Sequence, residues 1–308
     1  MSNSEKPVRV PGVPVQKAAV FLFLLLGILL SGLPAQEEDE EEAVVFKGIG
    51  LHVRLGGGYS LFSGGDFKTG IQGMYDLGGH RIVSAGYTLG TREKHLFSSG
   101  YELGGDLVYY FAGRLGIGVG GTLTRVNKTN EQLFRLGAVL LDYPMRVVPH
   151  TDIFSLRIGV FYAIPLNSLL TACFNAGPAF YSADYKCNWG AQTPGYAYSV
   201  SQRAKAKEWG VQGGIGLEVR MNERLAFILE AQGRFAKISG FEGEESLYEN
   251  LGGPVFTSDT TGTLYYVEKE GFPRLEVFPA APAVGLDGHE AVFDFSGISL
   301  RAGLNFKF

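Results

Sequence analysis

At 308 residues the chain has room for one large all-β domain or two ordinary ones, and its 44 glycines, 22 phenylalanines and 15 tyrosines suit a tightly curved sheet with aromatic girdles. Its formal charge of −4 becomes −6 once residues 1–35 are set aside, leaving 24 Lys and Arg against 30 Asp and Glu. That balance excludes the basic surface of a nucleic-acid-binding protein.

In chain order, Lys6, Arg9 and Lys17 precede an apolar run from Ala18 to Leu30, followed by Ser31-Gly-Leu-Pro-Ala35. This is the pattern of an export signal, expected over residues 1–35; an uncleaved anchor is the alternative, for which the run is short. Residues 36–46, opened by the acidic run Glu37 to Glu42, are expected to form a solvated periplasmic spacer. From residue 47 onward the dominant signal is a period of two. It places strands near 49–61, 101–111, 115–126, 153–164, 169–182, 209–220, 225–238 and 295–308. Each can cross a bilayer as a tilted strand, which takes about 9–11 residues. The connections 112–114, 165–168 and 221–224 are tight, whereas 62–100, 127–152, 183–208 and 239–294 are long. Strict alternation of short and long connections predicts an all-β fold over 47–308. The expected form is an eight-stranded antiparallel up-and-down transmembrane β-barrel with three short periplasmic turns and four long extracellular loops. Both termini would then be periplasmic.

The two parities of each strand differ in charge. The last strand sets Ile298, Leu300, Ala302, Leu304, Phe306 and Phe308 against Ser299, Arg301, Gly303, Asn305 and Lys307. Strand 209–220 sets Trp209, Val211, Ile215, Leu217 and Val219 against Gln212, Glu218 and Arg220; strand 225–238 sets Leu225, Phe227, Leu229 and Phe235 against Glu230, Gln232 and Arg234. The polar faces of the others carry His52, Arg54, Glu102, Asp106 and Arg157. A register slip of one residue would drive these charges into lipid. The candidate site is therefore a lumen network of Arg54, Glu102, Asp106, Arg157, Glu218, Arg220, Glu230, Arg234, Arg301 and Lys307. An eight-stranded interior is small enough for side chains to fill. A salt-bridged plug is the favoured reading, and a narrow channel for polar solutes is the alternative. A soluble sandwich would need these charges on a solvent face and many short connections.

On the apolar parity, Tyr59, Tyr101, Phe154, Phe180, Trp209 and Phe235 fall at the outer strand ends. Tyr109, Phe111, Tyr162, Phe227, Phe306 and Phe308 fall at the inner ends. Two such bands are the girdles expected at membrane interfaces. Arg125 and Lys237 break the parity at outer strand ends, with Lys205 and Lys207 nearby in sequence, and are candidate contacts for anionic lipid; snorkelling is the simpler alternative. Gly116, Gly118, Gly120 and Gly121 alternate within a strand, so they make room for bulky inward neighbours and do not form a phosphate-binding loop.

Cys173 and Cys187, fourteen residues apart, are expected to be free thiols. The five histidines, at 52, 80, 95, 150 and 289, show no ligand spacing, so neither metal nor cofactor is expected. Lipid hydrolysis, through His95 with Ser98 or Ser99, or through His150 with Asp152, is a third reading, and no enzymatic activity is expected. The segments Thr263-Leu-Tyr-Tyr-Val267 and Arg274-Leu-Glu-Val-Phe278 read as a β-ribbon above the membrane or a lid on the barrel mouth.

The stretches Gly100-Tyr-Glu-Leu-Gly-Gly-Asp-Leu-Val-Tyr-Tyr-Phe111 and Gly116-Ile-Gly-Val-Gly-Gly121 resemble the small outer-membrane β-barrel family related to OmpA-type membrane domains. So does the close, Asp294-Phe-Ser-Gly-Ile-Ser-Leu-Arg-Ala-Gly-Leu-Asn-Phe-Lys-Phe308. The resemblance covers about residues 47–308. It implies an integral outer-membrane protein of a Gram-negative-type bacterium. Phe306 and Phe308 would lie in a C-terminal signal read by the outer-membrane barrel assembly machinery. Unlike OmpA, no peptidoglycan-binding segment is expected after the barrel, and so no cell-wall tether. The expected partners are outer-membrane lipids, that machinery and an extracellular ligand or partner met by the long loops. A monomer is expected, with a structural or surface-binding role.

Overall fold

The computed structural model describes residues 50–84, 86–136, 139–193, 196–250, 254–282 and 288–308. The expected export signal (1–35) and acidic spacer (36–46) lie outside the described residues.

Eight strands close a ring: β1 (Gly50–Phe62), β3 (Ser99–Ala112), β4 (Leu115–Asn127), β6 (Val139–Pro165), β7 (Leu170–Thr193), β8 (Tyr196–Arg220), β9 (Leu225–Phe235) and β16 (Gly297–Lys307). Each pairs antiparallel with its neighbour in that order, and β16 returns to β1 with Tyr59 opposite Leu300. All eight match the strands expected from the period of two. Their short connections are built by turn chemistry. Gly113 takes φ 58° between β3 and β4. Asn167 and Asn222 each accept two backbone N–H groups of the following residues, at 2.8–2.9 Å. Between β6 and β7 the paired register skips Ile158 and Gly159 opposite Gly177 and Pro178, where proline has no N–H to give.

The long connections are not loops, and here the structure corrects the expectation. β6, β7 and β8 run on well past the ring. The ascending chain after β4 resumes as β5 (Asn130–Leu136) along β6, and β2 (Thr88–Glu93) pairs with β5. On the other side the chain after β9 passes through β10 (Lys237–Ile238) into β11 (Glu242–Asn250), which pairs with the top of β8. β12 (Phe256–Lys269) and β13 (Phe272–Phe278) extend that edge, and β14 (Gly288–Glu290) joins β12. β15 (Phe293–Asp294) pairs with β10. The result above the ring is an open sheet in the order β2-β5-β6-β7-β8-β11-β12-β13.

This sheet holds a twenty-residue helix, α1 (Gly65–Ser84), inside segment 62–100. Its buried side chains Phe67, Ile71, Met74 and Tyr75 pack with Phe62, Phe97, Tyr185, Phe241, Phe293 and Phe295 in one apolar core. Five glycines among twenty residues make α1 a poor helix former by propensity. The fold needs them for closeness: a Cβ on Gly73 would collide with the Pro273 carbonyl, and one on Gly70 would sit 2.8 Å from Leu275 Cγ. At its start Asp66 accepts the Val292 N–H (2.9 Å) and meets His289 Nε2 at 2.9 Å. The ribbon β12–β13 is likewise a packed cover, since Leu264, Val267, Leu275 and Val277 are buried.

Candidate functional site

The interior of the ring is polar. On β1, β3, β6, β8, β9 and β16 the strand period turns the charged parity inward, and most of these side chains are almost wholly buried. They are joined in two groups. In the lower group Arg54 donates to Glu218 (2.7 Å) and to the Tyr110 hydroxyl (2.9 Å). Glu218 also meets Lys307 Nζ at 3.3 Å, accepts Asn305 Nδ2 at 3.0 Å and accepts the Cys173 thiol at 3.3 Å. His52 Nδ1 lies 3.2 Å from Asn305. In the upper group Arg157 meets Asp106 at 2.6 Å and Asn175 at 2.5 Å, and Asn175 donates to Glu230. Arg234 meets Glu102 at 3.0 Å, and Arg301 lies 3.7 Å from Glu102 and 3.9 Å from Asp106. Ser60 donates its hydroxyl to Glu102 at 2.5 Å. Phe161 joins the groups, with the Arg54 and Arg157 guanidiniums 5.5 and 5.3 Å from its ring centre.

Nine of the ten residues expected in the lumen network are thus brought together. Arg220 is the exception: it lies half-buried at the end of β8, outside these ion pairs. The position next to the turn leaves its long side chain free to leave the interior. Ser60, Tyr110, Cys173 and Asn175 also belong to the network. They share the inward parity of their strands, so that parity read without regard to charge would have found them. Glycine makes the space, as expected for the alternating run in β4: a Cβ on Gly120 would collide with Asp106 Oδ1, and one on Gly118 would stand 2.8 Å from the Phe161 ring.

Outside the ring the polarity is reversed. Leu55, Leu103, Ile117, Ile158, Val211 and Leu229 are exposed around the wall, bounded above by Tyr59, Tyr101, Phe154, Trp209 and Phe235 and below by Tyr109, Phe111, Tyr162, Phe227 and Phe308. Tyr59 packs edge-on against Tyr101 (5.5 Å between ring centres) and Phe180 against Trp209 (5.4 Å).

Above the upper group the interior becomes apolar. The seam is at Arg234, whose guanidinium lies 3.8 Å from the Phe295 ring centre and donates to the Phe295 carbonyl at 3.1 Å. Beyond it the aromatic core around α1 fills the mouth. The inner edge of β13 is fixed by a clasp: Gln202 donates to Glu245 (2.7 Å) and to the Leu275 carbonyl (2.8 Å), and Glu245 accepts the Val277 N–H (3.2 Å). Burial lifts the Glu245 carboxyl above its usual range, with the neighbouring Glu276 adding to the rise. Burial also pushes the Cys187 thiol up to about 12, which leaves it an inert part of the core. Both cysteines are free thiols, buried on β7.

The two parity-breaking cations differ. Arg125 is engaged by Asp152 through two nitrogens, at 2.7 and 3.3 Å. Lys237 is exposed, with Nζ 6.0 Å from the Phe235 ring centre. His150 Nε2 lies 3.2 Å from the same Asp152, which makes a carboxylate–histidine pair, but no serine joins it among the described residues. Ser99 instead accepts the Tyr59 hydroxyl at 2.7 Å. Among the described residues no cluster of three or more His, Cys, Asp or Glu could hold a metal.

No family model matches the chain, and no curated protein matches it. Among solved structures it is similar to the outer membrane protein OprG of Pseudomonas aeruginosa, at 13% identity and a TM-score of 0.39, covering 85% of this chain and 97% of that one. It is also similar to the outer membrane protease OmpT of Escherichia coli, at 10% identity and a TM-score of 0.30, covering 85% and 98%. At this distance neither likeness bears on fold or function.

Proposed function

We propose that this chain is an integral protein of the bacterial outer membrane whose lumen is closed and whose work is done by the folded cap above the membrane. The observation that carries the reading is the reversal of burial in the ring: Arg54, Asp106, Arg157 and Arg301 are at most 6% exposed while Ile158 and Leu103 are 65% and 69% exposed. Water would reward the opposite arrangement, and lipid outside a side-chain-filled interior rewards this one. The apolar belt has a matching height. From Trp209 to Val219 on β8, ten residue steps of about 3.3 Å at a tilt near 40° rise ~25 Å.

In this orientation the short turns and both termini are periplasmic and the open sheet with α1 faces outward. Phe306 and Phe308 serve the barrel assembly machinery. The buried ion pairs close the lower lumen, because separating any of them would strand a charge away from water, and the core around α1 closes the mouth. The cap then acts as a rigid surface for an extracellular ligand or partner, without enzymatic chemistry.

The test is single-channel recording from the refolded chain in a planar bilayer, after a heat-dependent gel shift has established folding. A folded but silent protein is expected. Steady steps that change when Glu230 or Arg234 is neutralised would overturn the closed lumen and favour a small channel for polar solutes.

A further inference from the structure

The outward residues of β8 change character in one step. Descending the strand they read Ser201, Arg203, Lys205 and Lys207, and then Trp209, Val211, Gly213 and Ile215. The cations therefore stop where the aromatic rim begins. On the neighbouring ascending strand, Lys237 stands one outward position above Phe235, which is paired with Val211 of β8. Lys207 and Lys237 thus each stand directly above a rim aromatic, on strands that lie side by side.

Their pairing sets them apart from the other rim cations. Arg125 is held by Asp152. Arg203 and Lys205 lie 4.0 and 3.4 Å from Asp184, and across β11 they stand opposite Glu244 and Glu242. Lys207 stands opposite Ser182, and Lys237 opposite Asp294, whose carboxylate accepts the Ser296 N–H at 3.0 Å. Among the described residues neither Lys207 nor Lys237 has an ion-pair partner. Two exposed ammonium groups without an ion pair, on adjoining strands, attract an anion, and at the depth that the proposed orientation gives them the available anions belong to lipid headgroups. Trp209, one outward position below Lys207 and level with Lys237, is 66% exposed and brings an indole suited to the C–H face of a sugar.

We infer that Lys207 and Lys237, with Trp209 beside them, bind a phosphorylated glycolipid of the outer leaflet, the two ammonium groups taking its phosphate and the indole its sugar. The inference rests on the membrane orientation proposed above.

The test uses the full chain refolded into zwitterionic phospholipid vesicles to which a bisphosphorylated lipid-A-type glycolipid, its dephosphorylated form or phosphatidylglycerol is added. The readouts are the heat-dependent gel shift, which reports insertion, and the urea midpoint as the added lipid is titrated. Only the phosphorylated glycolipid is expected to raise the midpoint at low mole fraction. The K207Q/K237Q double variant should lose about thirtyfold in apparent affinity for it, as two cation–phosphate contacts imply, while R125Q keeps the response. A normal response from the double variant would overturn the site, and an equal response to phosphatidylglycerol would overturn the glycolipid as its ligand. Failure to insert into any vesicle would overturn the membrane reading and this site with it, whereas insertion without any response would overturn the site alone.

Discussion

The ring and the sheet above it share three strands, β6, β7 and β8, and are built inside out relative to one another. Below the seam at Arg234 the inward face is charged and the outward face apolar. Above it Val200, Ala204, Ala206 and Trp189 face inward around α1, while Lys186, Arg203 and Lys205 face outward. The backbone ladder is the same in both halves. What differs is the surroundings each half is made for: burial of carbon against carbon in the upper half, and pairing of inward charges with one another and with polar side chains in the lower.

The sharpest way to break the lower half is to remove one partner of a central pair. Glu218→Gln leaves Arg54 and Lys307 without their carboxylate, and should lower unfolding stability by about 4 kcal/mol, read as the loss of the heat-resistant band at lower urea. The upper half should break by a different route. Phe67→Ala removes the ring that packs on Tyr185, Phe241 and Phe293. It should cost the cap about 3 kcal/mol and open it to protease while the heat-dependent shift of the ring persists. A single concerted loss of both signals would mean that the two halves fold as one unit.

The reversed surfaces can be compared directly. Ile158→Arg on the ring wall should destabilise the protein in bilayers by about 3 kcal/mol, whereas Lys205→Leu on the upper wall should change the urea midpoint little. Equal effects would contradict a membrane boundary between them. Gly73→Ala probes the helix seat. In a free helix it would stabilise by about 1 kcal/mol, but the clash with Pro273 should reverse the sign to a loss of about 2 kcal/mol, visible in cap proteolysis.

The smallest effect concerns pH in the cap. Burial raises the Glu245 carboxyl, so the folded cap holds that proton more tightly than the unfolded chain does. Its contribution therefore declines as pH rises from the ordinary carboxylate value through the raised one, and Glu245→Gln should flatten cap protection over that window. Glu270 runs the other way: its hydrogen bond from Arg81 holds it below the usual range. Its contribution, small because the pair is exposed, is present above the ordinary value and fades as pH falls through the lowered one.

The eight strands, their inward charges and both aromatic rims were legible because a period of two with charge on a single parity is what a polar interior inside an apolar wall requires. The helix α1 was not. A helix buried on several sides and studded with glycines for close packing lacks both an amphipathic stripe and helix propensity. The upward runs of β6, β7 and β8 were hidden for a related reason. On β8 the apolar parity is odd from Trp209 down and even from Ala206 up, so a pattern that assigns apolar residues to one parity ends at the seam and reads the rest as loop. Arg220 kept the inward parity but not the burial, since parity records direction and not depth.

Local pattern alone settles which residues face in and which face out along each ring strand, because the pleat turns successive side chains to opposite sides whatever the strand's neighbours are. The assembled fold settles the rest: that Arg54 meets Glu218, that Arg234 bridges Glu102 and Phe295, and that segment 62–100 returns as a helix into the mouth. Such contacts join residues as many as 253 positions apart, as His52 and Asn305 show. Strand stagger and ring closure set them, and no local pattern encodes either.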